Sequence, residues 1–85
     1  MNSNSFLNST MPSLDLHGYN RYEATVLIDE FINNSLKLNY HLIAIIHGKG
    51  EGILKEVVIK IARENRKVKN YHIDMFNDGC TIFEL

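Results

Sequence analysis

Two apolar segments of this chain end in the same dipeptide. Leu14-Asp15-Leu16 runs into His17-Gly18, and Leu42-Ile43-Ala44-Ile45-Ile46 runs into His47-Gly48. The first alternates apolar and polar side chains, as a strand with one buried face does, and sets Leu14 and Leu16 opposite Asp15 and His17. The second is apolar throughout and reads as a central, buried parallel strand. Each is followed by a stretch of helical periodicity. Strand, helix, strand in that order makes a right-handed crossover between parallel strands. Both His-Gly ends therefore fall at one edge of a sheet.

The intervening stretches have their own punctuation. Asn20 is a helix N-cap with Glu23 as its capping-box partner three residues on. Ala24, Leu27, Ile28, Phe31, Ser35 and Leu38 then recur at helical spacing, which predicts an amphipathic helix ending near Asn39. A second helix is expected from Gly52 to Lys67, with Leu54, Val57, Val58, Ile61 and Ala62 inward. Arg66 and Lys67 suit its C-terminal dipole. Tyr71, Ile73 and Met75 alternate with His72 and Asp74 as a third strand, Asn77-Asp78-Gly79 signals a tight turn, and Cys80–Leu85 is the last strand, with Thr81, Phe83 and Leu85 on one face. The order βαβαββ predicts a two-layer α/β sandwich, a four-stranded mixed sheet with both helices on one face.

At 85 residues and 45% hydrophobic, the chain suits one domain with a modest core. Residues 1–13 hold no charged side chain and are rich in Asn and Ser, so they read as a disordered leader or linker before a domain at 14–85. The single Cys80 forms no internal disulfide and reads as a buried thiol in a reducing, cytoplasmic compartment. No run approaches the roughly 20 apolar residues of a membrane span, so no membrane partner is expected. A net charge of −1 argues against a general polyanion binder. The charge is uneven, however: seven Lys and Arg stand against three Glu in residues 47–72. That basic segment suits a phosphate-facing surface.

The candidate chemistry sits at the shared sheet edge, where open α/β sheets hold ligands. Asp15, His17 and His47 are the candidate catalytic residues. An imidazole exchanges protons near neutrality, and Asp15 can orient His17, a ligand, a water or a metal. The loop His47-Gly48-Lys49-Gly50-Glu51-Gly52 enters a helix N-terminus, where glycine amides and the helix dipole favour an anion. Gly48, Lys49, Gly50 and Gly52, with Lys55 just beyond, are the candidate phosphate contacts. The spacing is not that of a Walker A loop. His41 and His72 lie away from this edge, and one Cys without a closely spaced His pair makes no zinc set.

These motifs, LDLHG and IIHGKGEGIL with a helix between, followed by a helix and a terminal hairpin, resemble the small MutS-related (Smr) domain over residues 14–85. The resemblance implies a fold similar to the C-terminal domain of translation initiation factor three. It also implies nuclease activity, as in members that nick DNA or cut RNA, including messenger RNA on stalled ribosomes. The family's Asp-Leu-His-Gly motif falls on Asp15 to Gly18, and its His/Thr-Gly-x-Gly motif on His47 to Gly50. Some relatives carry Arg in place of the first His, which leaves the role of His17 open. Family members also occur as C-terminal domains of MutS-type ATPases, so a longer parent protein is one expectation. One departure stands out: relatives often have a Gly-Gly-x-Gly turn before the last strand, where this chain has Asn77-Asp78-Gly79. The sheet order also rests on the resemblance.

Three functions follow as expectations. The first is an endonuclease on DNA or RNA, linked to repair, recombination or ribosome-associated cleavage, with Asp15 orienting His17 or holding a divalent cation such as magnesium. The second is a non-catalytic module that docks on nucleic acid or the ribosome through phosphate contacts. The third is a protein-interaction domain using the uncovered sheet face, which Asp15, His17, His72 and Asp74 make polar.

Overall fold

The computed structural model describes residues 11–50 and 52–85. The elements are β1 (Ser13–Asp15), α1 (Arg21–Lys37), β2 (Leu42–Ile46), α2 (Ile53–Glu64), β3 (Asn70–Ile73) and β4 (Cys80–Glu84). They form the expected α/β sandwich. The four strands make one mixed sheet in the order β1-β2-β4-β3. β1 runs parallel to β2, and β4 is antiparallel to both β2 and β3. The last strand is thus inserted between the second and third. The C-terminal ends of β1, β2 and β3 and the start of β4 all share one edge.

Local chemistry accounts for the helix ends. Asn20 Oδ1 accepts the Glu23 N–H at 2.8 Å, and Glu23 Oε1 accepts the Asn20 N–H at 3.0 Å, completing the capping box. α1 stops where Asn39 takes a left-handed conformation, φ 65°. The Tyr40 N–H then bonds the Ser35 carbonyl and the Asn39 N–H the Leu36 carbonyl, a Schellman closure. Leu38 falls at this closure and is 69% exposed, while Ile32 takes the buried place that the expected stripe left out. α2 ends at Glu64, short of Arg66 and Lys67, because the Asn65 side chain accepts the Lys67 N–H in an Asx turn.

The main core lies between helices and sheet. Leu16, Ile28, Ile32, Ile43, Ile45, Val58 and Phe83 are sealed within it. Each such side chain contributes about 1.5–3 kcal/mol relative to exposure. The opposite sheet face is less polar than expected, since Ala44, Cys80 and Ile82 form a second buried cluster with Met11 and Ile46 against it. The Pro12 carbonyl accepts the Ala44 N–H, and β1 begins at Ser13, one residue before the expected domain boundary. The rest of the expected leader, residues 1–10, lies outside the described residues. β3 also ends sooner than its alternation suggests. The Asp74 N–H closes onto the Cys80 carbonyl, and Met75 and Phe76 project from the connection.

Candidate functional site

Both His-Gly pairs work by the same backbone device. Gly18 and Gly48 have φ of 85° and 86°, a region where a Cβ costs roughly 1–2 kcal/mol. In the first pair, the Leu16 N–H makes a last sheet bond to the Ile46 carbonyl, and the Tyr19 N–H then returns to the Leu16 carbonyl. His17 is left at the apex of that turn. The Asp15 carboxylate accepts the His17 backbone N–H at 2.9 Å. Asp15 therefore braces the turn that carries His17, and its bond is to the main chain rather than the imidazole.

The second pair is held from across the sheet. The Gly79 carbonyl accepts both the His47 N–H at 2.8 Å and the Gly48 N–H at 2.9 Å. Gly48 thus spends its amide on the protein, which corrects its expected role as an anion donor. Its carbonyl instead faces His47 Nδ1 at 3.0 Å. A carbonyl only accepts, so Nδ1 carries the proton. His47 Nε2 lies 2.8 Å from Thr81 Oγ1, and in the neutral ring it accepts the hydroxyl proton. His47 is half-buried and tethered at both nitrogens. Thr81 is wholly buried.

These elements enclose a shallow hollow of about 170 Å3 lined by Asp15, His17, Ile46, His47 and Gly48. All three candidate catalytic residues line it. Larger hollows, such as one of about 420 Å3 beside Asp29, Glu30 and Glu64, lie on the helix layer, remote from the sheet edge. The phosphate candidates do not all gather at the small hollow. Lys49 leans toward Asp78, 3.6 Å away, in a pair that is 68% and 73% exposed. Gly50 is exposed. Gly52 is the N-cap of α2 at φ 86° and provides no side-chain cap to the first turn. Lys55 is half-buried on α2 and does not line the hollow. His41 lies elsewhere, its Nδ1 against the Leu85 carbonyl at 3.2 Å.

Thr81 and Gly79 are the residues that sequence reasoning missed. The available signal was Thr81 itself: a hydroxyl among the core-facing Phe83 and Leu85 needs a buried partner. Gly79 is closely packed, since a Cβ there would sit 3.0 Å from the Gly48 carbonyl carbon and 3.1 Å from Lys49 Cγ and would force these neighbours to shift. Burial pushes the Cys80 thiol above its ordinary pKa, with Asp74 adding to the effect. Cys80 is therefore a packing residue rather than a nucleophile.

The family model for the Smr domain matches residues 14–84. The chain belongs to the Smr domain family. It is 42% identical over 81 residues to the endonuclease MutS2 of Leuconostoc mesenteroides, a match covering 91% of this chain and 10% of that protein. It is 38% identical over 68 residues to the endonuclease MutS2 of a Geobacillus species, covering 80% of this chain and 9% of that protein. The chain thus spans about a tenth of the length of the curated relatives it matches. Its fold is that of the crystal structure of the Smr domain of Thermus thermophilus MutS2, with a TM-score of 0.84 and 23% identity over 87% of this chain and 96% of that one. The stand-alone small MutS-related protein YdaL of Escherichia coli is also similar, with a TM-score of 0.81 and 24% identity over 86% of this chain and 63% of that one. Among the described residues of this Smr domain, no helix is long and apolar enough to cross a membrane.

Proposed function

We propose that this Smr domain is an endonuclease that cleaves phosphodiesters of DNA or RNA at the hollow between its two His-Gly turns. The observation that carries the proposal is the convergence of Asp15, His17 and His47 on that one hollow. His17 is exposed at a turn apex, and its imidazole has no hydrogen-bond partner among the described residues. It is the ring placed to take a proton from an attacking water or ribose 2′-hydroxyl. His47 serves as a fixed wall. When protonated it keeps both tethers, because Nε2–H then donates to Thr81 Oγ1. It thereby holds a positive charge beside the phosphate without moving. Lys49 supplies a second charge by exchanging Asp78 for the substrate.

Among the described residues no three His, Cys, Asp or Glu side chains stand close enough together to hold a metal ion between them. A magnesium ion held by one carboxylate, waters and substrate phosphate would suit the second Asp15 oxygen, where it would neutralise phosphate charge. Similarity to proteins named endonuclease MutS2 supports the nuclease reading, and their greater length supports a role within a longer MutS-type ATPase. Repair or recombination of DNA and cleavage of ribosome-bound messenger RNA, both in the cytoplasm, are the settings this chemistry would serve.

Plasmid nicking and RNA cleavage by the unmodified chain, His17→Ala and His47→Ala, with and without chelator, test the proposal. Cleavage lost in His17→Ala with binding retained is expected. Cleavage unchanged in both variants would refute the site. Binding without cleavage by the unmodified chain would make this a docking module.

A further inference from the structure

The connection from β3 to β4 presents two large apolar side chains to water. Phe76 is 92% exposed and Met75 86%. Scattered surface hydrophobics are ordinary, but these two are adjacent, and the loop is built to keep them out. The Asp74 N–H bonds the Cys80 carbonyl, the Cys80 N–H bonds the Asn77 carbonyl at 3.0 Å, and Asn77 Oδ1 accepts the Gly79 N–H at 3.0 Å. Both ends of the loop are pinned, so Phe76 is a presented ring rather than a misplaced core residue.

Its position gives the ring a use. Gly79, at the end of the same loop, is the residue whose carbonyl holds His47 and Gly48. Asp78, two residues from Phe76, pairs with Lys49. β3 lies two places from β2 in the sheet, with β4 between, a spacing of about 10 Å. Phe76 lies three residues from Gly79, a chain reach of at most about 11 Å, so a nucleic-acid strand with a phosphate at His47 and Lys49 would pass within reach of its ring. The flanking charges select which part of the strand meets the ring. Asp74 and Asp78 flank Phe76 in the chain and disfavour a phosphate beside it, which leaves a base as the part of the strand suited to meet the ring. A base is available to such a ring only where it is unpaired.

We propose that Phe76 is a stacking platform for an unpaired base next to the bound phosphate, so that the substrate of the site is single-stranded nucleic acid or a single-stranded segment. This rests on the nuclease reading only for the location of the phosphate.

The chain contains no Trp, so Phe76→Trp introduces a single reporter at the platform. Titration with a ten-nucleotide oligothymidylate or oligouridylate should quench its fluorescence, and a blunt duplex of the same length should not. Phe76→Ala should weaken single-strand binding by about tenfold, within the worth of one base–aromatic stack. Its salt dependence should match that of the unmodified chain, since no charge is removed. Unchanged affinity in Phe76→Ala, an unquenched Trp at saturation, or no oligonucleotide binding at all would overturn the proposal. Because the ring is exposed, circular dichroism of both variants should match the unmodified chain. The readouts separate the two readings. Quenching by an oligonucleotide that the chain never cuts would sustain the platform and sink the nuclease, while cleavage with normal Phe76→Ala binding would do the reverse.

Discussion

Removing the hydroxyl that tethers His47 tests the central geometry of the site without touching its charged groups. Thr81→Val keeps the β-branched shape in the middle of β4, so strand preference and core packing are nearly preserved. What is lost is the 2.8 Å bond to His47 Nε2. A neutral hydrogen bond contributes about 1 kcal/mol net, and an acceptor left without its partner raises the cost toward about 2 kcal/mol when water reaches it poorly. His47 is half-buried, so a loss of about 1–2 kcal/mol is expected. In a domain of this size that lowers the melting midpoint by roughly 4–16 °C. The ring, still held through Nδ1 to Gly48, gains freedom to swing, and displacement of a site group by about 1 Å costs up to about 100-fold in rate. Cleavage should fall by tenfold or more, and the Nε2 nitrogen resonance of His47 should shift. Thr81→Ser, which restores the hydroxyl, should recover most of each effect. A Thr81→Val protein with normal melting, cleavage and His47 resonance would show that the tether plays no part.

Further outcomes follow from other contacts. Gly79→Ala places a Cβ 3.0 Å from the Gly48 carbonyl carbon. It should destabilise by about 1–3 kcal/mol and perturb the His47 and Gly48 amide resonances more than those of α1; unchanged amide positions would remove Gly79 from the account. Lys49→Ala should leave melting within about 0.5 kcal/mol, as exposed pairs contribute little, while lowering the salt slope of oligonucleotide binding by about one. Asp78→Asn should tighten the same binding at low salt, and weaker binding would contradict competition between Asp78 and phosphate for Lys49. The Cys80 thiol, raised by burial and then by Asp74, should resist alkylation by iodoacetamide until the chain unfolds. The folded state keeps this proton to higher pH than the unfolded chain does. Stability therefore falls as pH rises past the ordinary thiol value, and Cys80→Ser should flatten that decline.

What could be read from the residues was mostly local. The Asn20–Glu23 box, the Gly18 and Gly48 turns and the apolar run of β2 depend on neighbours a few positions away, and the structure contains each of them. The errors arose where a distant contact decides between local options. Phe31 and Ile32 are both apolar, and only packing against the sheet makes Ile32 the buried one. Met75 continues an alternation, yet the bond from Asp74 to Cys80 ends the ladder before it. The apolar centre of the open sheet face escaped notice because Ala44, Cys80 and Ile82 become neighbours only through the pairing of β2 with β4.

The same distinction separates the two histidines. On the page of sequence, His17 and His47 are equivalent: each precedes a glycine at the end of a strand. Topology breaks the equivalence. β1 is an edge strand whose end meets only β2, so His17 stands on a turn braced by its own Asp15. β2 is interior, and its other neighbour is β4, whose start delivers Gly79 and Thr81 to the second turn. Inserting the last strand beside the second is therefore what converts His47 from a mobile ring into a fixed one. Under the proposed nuclease chemistry the free ring would move the proton and the fixed one would hold charge beside the phosphate, and a sheet that places one histidine at its edge and one in its interior supplies a ring of each kind. Removing each environment in turn should then separate the two roles. Because Asp15 braces only the His17 turn and Thr81 tethers only His47, Asp15→Ala should leave oligonucleotide binding by the His17→Ala protein nearly unchanged, while Thr81→Val should weaken it. Equal losses would mean that Asp15 acts on the substrate directly rather than through His17.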